Sequence, residues 1–290
     1  MTKKRYFSIL VILAILIITV GGFVYNRNSN AKTAYHVEGS AGNIAGTTIV
    51  VSLFADDTES KWDSTEDAEK ISNINNYLAI AGDYLENVVA SYNKSADFIT
   101  DFTTNTDLKY SMAFDKKITN QEYIDNGECD TVVWNFIDKN IDEDALKQKY
   151  NADNIVYMVF VDSDESNTAI TCTRSWYEGM ESDDEIVYLF NIDSQCLNGP
   201  AVYAHEILHT FGAPDLYVED SLYNITSDFL NYVNENMSND LMLTCSDATT
   251  GDYLYDSINN EVGEVSAYFI GLVDSSKIVD QWNLVIPETY

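Results

Sequence analysis

The stretch from Pro200 to Asp215 limits what this chain can become more than any other. Proline directly after Asn198-Gly199 starts a helix, because its missing N–H falls where no intrahelical partner exists. Ala201, Ala204, Ile207, Leu208 and Phe211 gather on one arc and give that helix a face to bury. Gly212 supplies the positive φ that ends it, and Pro214 prevents it from resuming. Inside the helix, His205 and His209 lie roughly 40° apart on one face, one turn above the other, so both imidazoles reach a single ion. Glu206, turned roughly 100° from His205, is placed to hold a water beside that ion without ligating it. The turn after Gly212 swings Asp215 back toward the pair, and three protein ligands leave a fourth position open. The chain has three histidines; the remaining one, His36, lies in a polar segment and reads as solvated.

Two histidines four apart around a glutamate is the spacing of a zinc hydrolase helix. The string HEILHTFGAPD, residues 205–215, resembles the extended metzincin signature HExxHxxGxx(H/D) in its variant with aspartate as third ligand. With Gly212-Ala213-Pro214-Asp215-Leu216-Tyr217 and Asn239-Asp240-Leu241-Met242, the chain is most similar to bacterial secreted metallopeptidases of the immune inhibitor A type, and snapalysin-like peptidases share the aspartate variant. The resemblance spans residues 200–242. It implies one catalytic Zn2+ held by His205, His209 and Asp215, with Glu206 as general base, and a zinc-dependent endopeptidase acting on protein or peptide substrates. Met242 would be the methionine of the Met-turn, with Met237 as a nearby competitor. No tyrosine follows Met242 where some metzincins keep one, and Tyr217 and Tyr223 are read as packing residues. The implied fold is α/β (α+β): an N-terminal lobe with a twisted mixed sheet and two long helices including the zinc helix, then a smaller irregular C-terminal lobe with the Met-turn and a closing helix. The strand two before the metal helix, residues 168–174, would be the antiparallel edge that pairs with bound peptide.

Two other arrangements compete. The zinc could take its third ligand from Asn260-Glu261 or Glu264, in the manner of thermolysin-like enzymes, although the register of Gly212 and Asp215 favours Asp215. A non-catalytic surface or adhesion protein could keep the fold and the metal without turnover; an intact Glu206 argues against it.

The N-terminus sets the compartment. Met1-Thr2-Lys3-Lys4-Arg5 precedes an uncharged apolar run over residues 7–24. Secretory cores run about 7 to 15 residues and a spanning helix needs about 20, so the run favours a single-pass anchor over a cleaved signal. Either way the basic end stays inside and the rest is exported. Residues 1–27 are thus an anchor or signal peptide, 28–46 a polar tether, and 47–290 one catalytic domain, monomeric and without a long inhibitory propeptide. A net charge of −31 excludes a nucleic-acid partner, which most of such a surface would repel. The acidic clusters at 56–66, 162–165 and 181–185 permit Ca2+ but have no calcium-loop spacing, so they read as solvated surface. Cys129, Cys172, Cys196 and Cys245 form no CxxC pair; three disulfide connectivities, or free buried thiols, remain open.

Residues 48–54 predict a buried strand. Ile71, Ile74, Leu78, Ala81, Leu85 and Val88 predict an amphipathic helix capped by Asp63 or Ser64. Strands are predicted over 107–114, 131–137, 155–161 (central), 168–174 and 186–192, and a short helix over 142–150. Val262, Val265, Phe269 and Leu272 mark the closing helix.

Overall fold

The apolar run 48–54 becomes β1 (Gly46–Asp56), and a six-stranded sheet is built around it. The structure is a computed structural model that describes residues 39–174, 182 and 184–286. The segments read as membrane anchor and as most of the tether, and His36, lie outside them; no helix among the described residues is long and apolar enough to cross a membrane. β4 (Asn154–Val161), buried along its whole length, pairs with β1 in parallel, and β6 (Ile186–Phe190) pairs with β4 in parallel. β5 (Cys172–Arg174) closes that side as an antiparallel edge on β6. On the opposite side β2 (Ala96–Ile99) pairs with the first half of β1 and β3 (Lys109–Ala113) with the second.

Parallel strands need crossovers, and crossovers put helices on the faces of the sheet. The period-2 alternation of the strands sorts accordingly. Val50, Phe54, Val156, Met158, Phe160, Val187 and Leu189 face α1 (Ala68–Ser91) and α5 (Pro200–Thr210). Ile49, Val51, Leu53, Ile155, Tyr157, Val159 and Tyr188 face the second layer, formed by α2 (Gln121–Asp125), α3 (Glu128–Asn140) and α4 (Glu143–Tyr150). The mixed, mostly parallel sheet of the expected α/β class is present, flanked on both sides. The segment after Asp215 holds α6 (Ser227–Asn236), α7 (Glu264–Phe269) and α8 (Lys277–Trp282) between irregular stretches. It shares its core with α1 and α5, through Leu241, Met242, Val265, Phe269 and Leu272.

Several expectations need correction. Residues 131–137 lie in α3, not in a strand: Cys129, Val133 and Ile137, four apart, are buried on one helical face, and this spacing outweighs the β-branched run. Residues 107–114 open with a 3₁₀ turn (Thr106–Leu108) before β3 begins. Of 168–174 only Cys172–Arg174 is strand; of 186–192 the strand ends at Phe190, and Ile192–Asp193 (β7) forms a hairpin with Cys196–Leu197 (β8). Asp67, not Asp63 or Ser64, stands at the N-cap of α1, while Asp63 folds the preceding turn by accepting from the Thr65 and Glu66 amides. All four cysteines are free thiols.

Residues 39–45, the end of the stretch read as tether, pack onto the domain. Ala41 N–H donates to Thr210 O at 2.9 Å, and Ser40 exchanges hydrogen bonds with Glu185. Gly39, at φ +72°, lies so close to the end of α5 that a Cβ there would stand 2.3 Å from Thr210 O, so only glycine fits.

Candidate metal centre

α5 begins with Pro200 in its first turn after an extended Gly199. It ends at Gly212, whose φ is +95°; the Gly212 and Ala213 amides return to His209 O and Leu208 O and satisfy carbonyls that the helix leaves open. This reversal brings Asp215 beside the two histidines. The ligand atoms of His205, His209 and Asp215 lie within 4.8 Å of one another, the one such group of three among the described residues. The Nε2 atoms are 3.1 Å apart, and Asp215 Oδ1 is 3.3 Å from that of His205 and 3.2 Å from that of His209. A tetrahedral ion with bonds of about 2.0–2.1 Å separates its ligand atoms by about 3.3 Å.

The hydrogen bonds behind the imidazoles give this triangle its chemical meaning. His205 Nδ1 stands 3.0 Å from Leu241 O, and His209 Nδ1 2.7 Å from Ala213 O. A carbonyl only accepts, so each Nδ1 carries the proton and each Nε2 turns a lone pair inward. Asp215 Oδ1 is buried and makes no hydrogen bond. With both rings neutral, three electron-pair donors therefore converge, an arrangement that repels itself unless a cation, a metal ion or a proton, sits at its centre. The residues fit a metal ion.

The surrounding charge agrees. Burial alone would raise the Asp215 carboxyl, but the facing His205 and His209 outweigh it and hold it well below the usual carboxylate range. Burial opposes charge on both imidazoles, yet Cys245, Asp215 and Glu206 raise His205 well above its ordinary value, and Asp215 and Glu206 raise His209. The pocket favours positive charge.

Glu206 is buried (5 % exposed) on the same helix, and its Oε2 accepts a hydrogen bond from Thr173 Oγ1 at 2.8 Å. The Tyr217 ring stacks on that of His205, centroids 6.3 Å apart, and burial with the Asp215 and Glu206 charges pushes its phenol up. Met242 is fully buried, and its carbonyl accepts from Leu216 N–H, next to Asp215. The competing Met237 instead ends α6. Asp240, buried, accepts from the Met242 amide, Ser266 Oγ and the Gly263 amide; it folds the turn whose next carbonyl, Leu241 O, faces His205.

No protein-family model matches this chain, and no curated protein does. Of the residues singled out in the sequence, His205, His209 and Asp215 stand together; Glu206 lies on the same helix, near enough for its charge to act on both histidines. The alternative third ligand does not join them: Glu264 accepts from Ser276 Oγ and the Lys277 amide at the start of α8. Sequence reasoning missed Thr173, Tyr217, Asp240 and Leu241 as parts of the site. Tyr217 had a signal, two residues after Asp215; Thr173 and Leu241 act across 33 and 36 residues and had none.

Proposed function

We propose that this protein is an extracellular zinc-dependent endopeptidase, tied to the cell membrane by its N-terminal segment, with His205, His209 and Asp215 as zinc ligands and Glu206 as general base. The observation that carries the reading is the convergence of three lone-pair donors beside a buried carboxylate. Two imidazoles and one carboxylate suit zinc and disfavour calcium, which takes oxygen ligands. The resemblance to aspartate-variant metzincins supplies the substrate class, and the apolar run at residues 7–24 supplies the compartment.

A zinc ion held by His205, His209 and Asp215 would lower the pKa of water and polarise a peptide carbonyl. The protein's residues do the rest. Leu241 O and Ala213 O fix the tautomers of His205 and His209 and keep both rings aimed inward. Glu206 takes a proton from the attacking water and returns it to the leaving amine; the nearly dry surroundings strengthen that exchange. Among the described residues β5 pairs on one side only, and an extended peptide would add to its other edge, on the strand that carries the Thr173–Glu206 contact.

The test is metal analysis and casein cleavage on wild type and Glu206→Gln. Zinc bound by both, with cleavage by the wild type alone and a loss of about 10²-fold or more in the variant, is the expected result. Zinc without cleavage by either favours the non-catalytic surface protein, and no zinc in either removes the metal centre.

A further inference from the structure

Thr173 sits in the middle of β5, opposite Val187 of β6. Its Oγ1 lies 2.8 Å from Glu206 Oε2 and 2.9 Å from Glu206 O. A hydroxyl has one proton to donate, and an ionised carboxylate is a stronger acceptor than a carbonyl, so the proton points at Oε2. That leaves Oε1 for the proton of a water. A glutamate side chain turns about three bonds, and a carboxylate that must meet one water atom gains from having that freedom removed beforehand. Threonine is suited to the task because its β-branch restricts χ1 in a strand.

Thr173 is itself held. The next residue, Arg174, donates from Nε to Asp130 Oδ2 at 3.2 Å, and Asp130 Oδ1 accepts from Tyr188 Oη at 2.9 Å. Asp130 belongs to α3 and is fully buried. The edge strand, three residues long among the described residues, is thus tied to the second helical layer one residue away from the contact with Glu206.

We infer that Thr173 is a positioning residue that fixes the Glu206 carboxylate, through its hydroxyl, in the orientation needed to receive a proton. The inference rests on the peptidase reading for its purpose, but the contact can be tested apart from it. It also joins two parts of the site: the edge strand that would receive a peptide is the strand that sets the base.

The experiment compares zinc-loaded wild type, Thr173→Val, Thr173→Ala and Thr173→Ser in two ways. In steady-state cleavage, the valine and alanine variants lose about ten- to a hundredfold in kcat with KM within about twofold, and serine restores most of it. In crystal structures, the Glu206 carboxylate leaves its wild-type position in the valine and alanine variants and keeps it in the serine variant. Unchanged kcat in Thr173→Val, or a Glu206 carboxylate unmoved by it, overturns the inference. A wild type that cleaves nothing removes the peptidase reading, and the position of Glu206 in the crystals still decides whether Thr173 holds it. Should valine prevent folding, the alanine variant is read the same way.

Discussion

His205 and His209 each commit one ring nitrogen to a backbone carbonyl and turn the other toward Asp215. In the metal-free protein that geometry favours a proton where an ion would otherwise sit. Both imidazoles are raised above their ordinary value of 6.5 in the folded protein. A group raised in this way contributes stability that is fully present below its unfolded pKa and is lost as pH rises through the folded one. The urea midpoint of the metal-free protein is therefore expected to fall as pH rises above about 6.5 through the raised folded-state values, more steeply than in His209→Ala. Metal binding displaces those protons, so the stabilisation by added zinc grows over the same window. A metal-free midpoint that is flat or rising across that range, equally in wild type and His209→Ala, would contradict this account.

At the scale of elements, β5 is where local signals were weakest and tertiary contacts matter most. Its edge position and antiparallel sense were expected; that the pairing starts only at Cys172 was not, and the segment before it is held by side chains, with Asn198 bridging Thr171 Oγ1 and Asp193. The Arg174–Asp130 ion pair anchors it. Asp130 is fully buried and Arg174 only partly so, and removing Arg174 takes the counter-charge from a buried carboxyl. Arg174→Met is thus expected to destabilise the fold by about 1–3 kcal/mol, and the double variant Asp130→Leu/Arg174→Met to recover part of that loss, both read from urea unfolding. Equal stability of the single variant and wild type would show that the pair anchors nothing. α3 illustrates the opposite failure. Val132, Val133 and Ile137 read as strand by type, but the sheet's second face needed a helix to cover it, and Cys129, Val133 and Ile137 met that need at helical spacing.

For the whole molecule, two covered faces on one sheet decide what is accessible. Cys129 lies in the second core, where burial and the Asp130 charge push its thiol up to about 12, and burial likewise raises Cys172. Cys196, by contrast, is exposed on the β7–β8 hairpin. A thiol reagent at pH 8 should modify Cys196 at once and reach Cys129 only in denaturant; fast labelling of Cys129 in the native protein would refute the two-core arrangement. The same architecture separates what could be read in the chain from what could not. The candidate metal ligands were legible because Pro200, His205, His209, Gly212 and Asp215 sit within sixteen residues, where helix pitch and one glycine turn determine the geometry. So were β1 and β4, whose apolar runs admit little but a buried strand. By itself the sequence determined which atoms can meet an ion and that a mixed sheet accompanies them; that the sheet is mostly parallel came from the structure. Only the tertiary structure decided that Leu241 O orients His205, that Thr173 holds Glu206, and that α3 covers the second face, because each depends on segments distant in the chain that the packing of the sheet brings together.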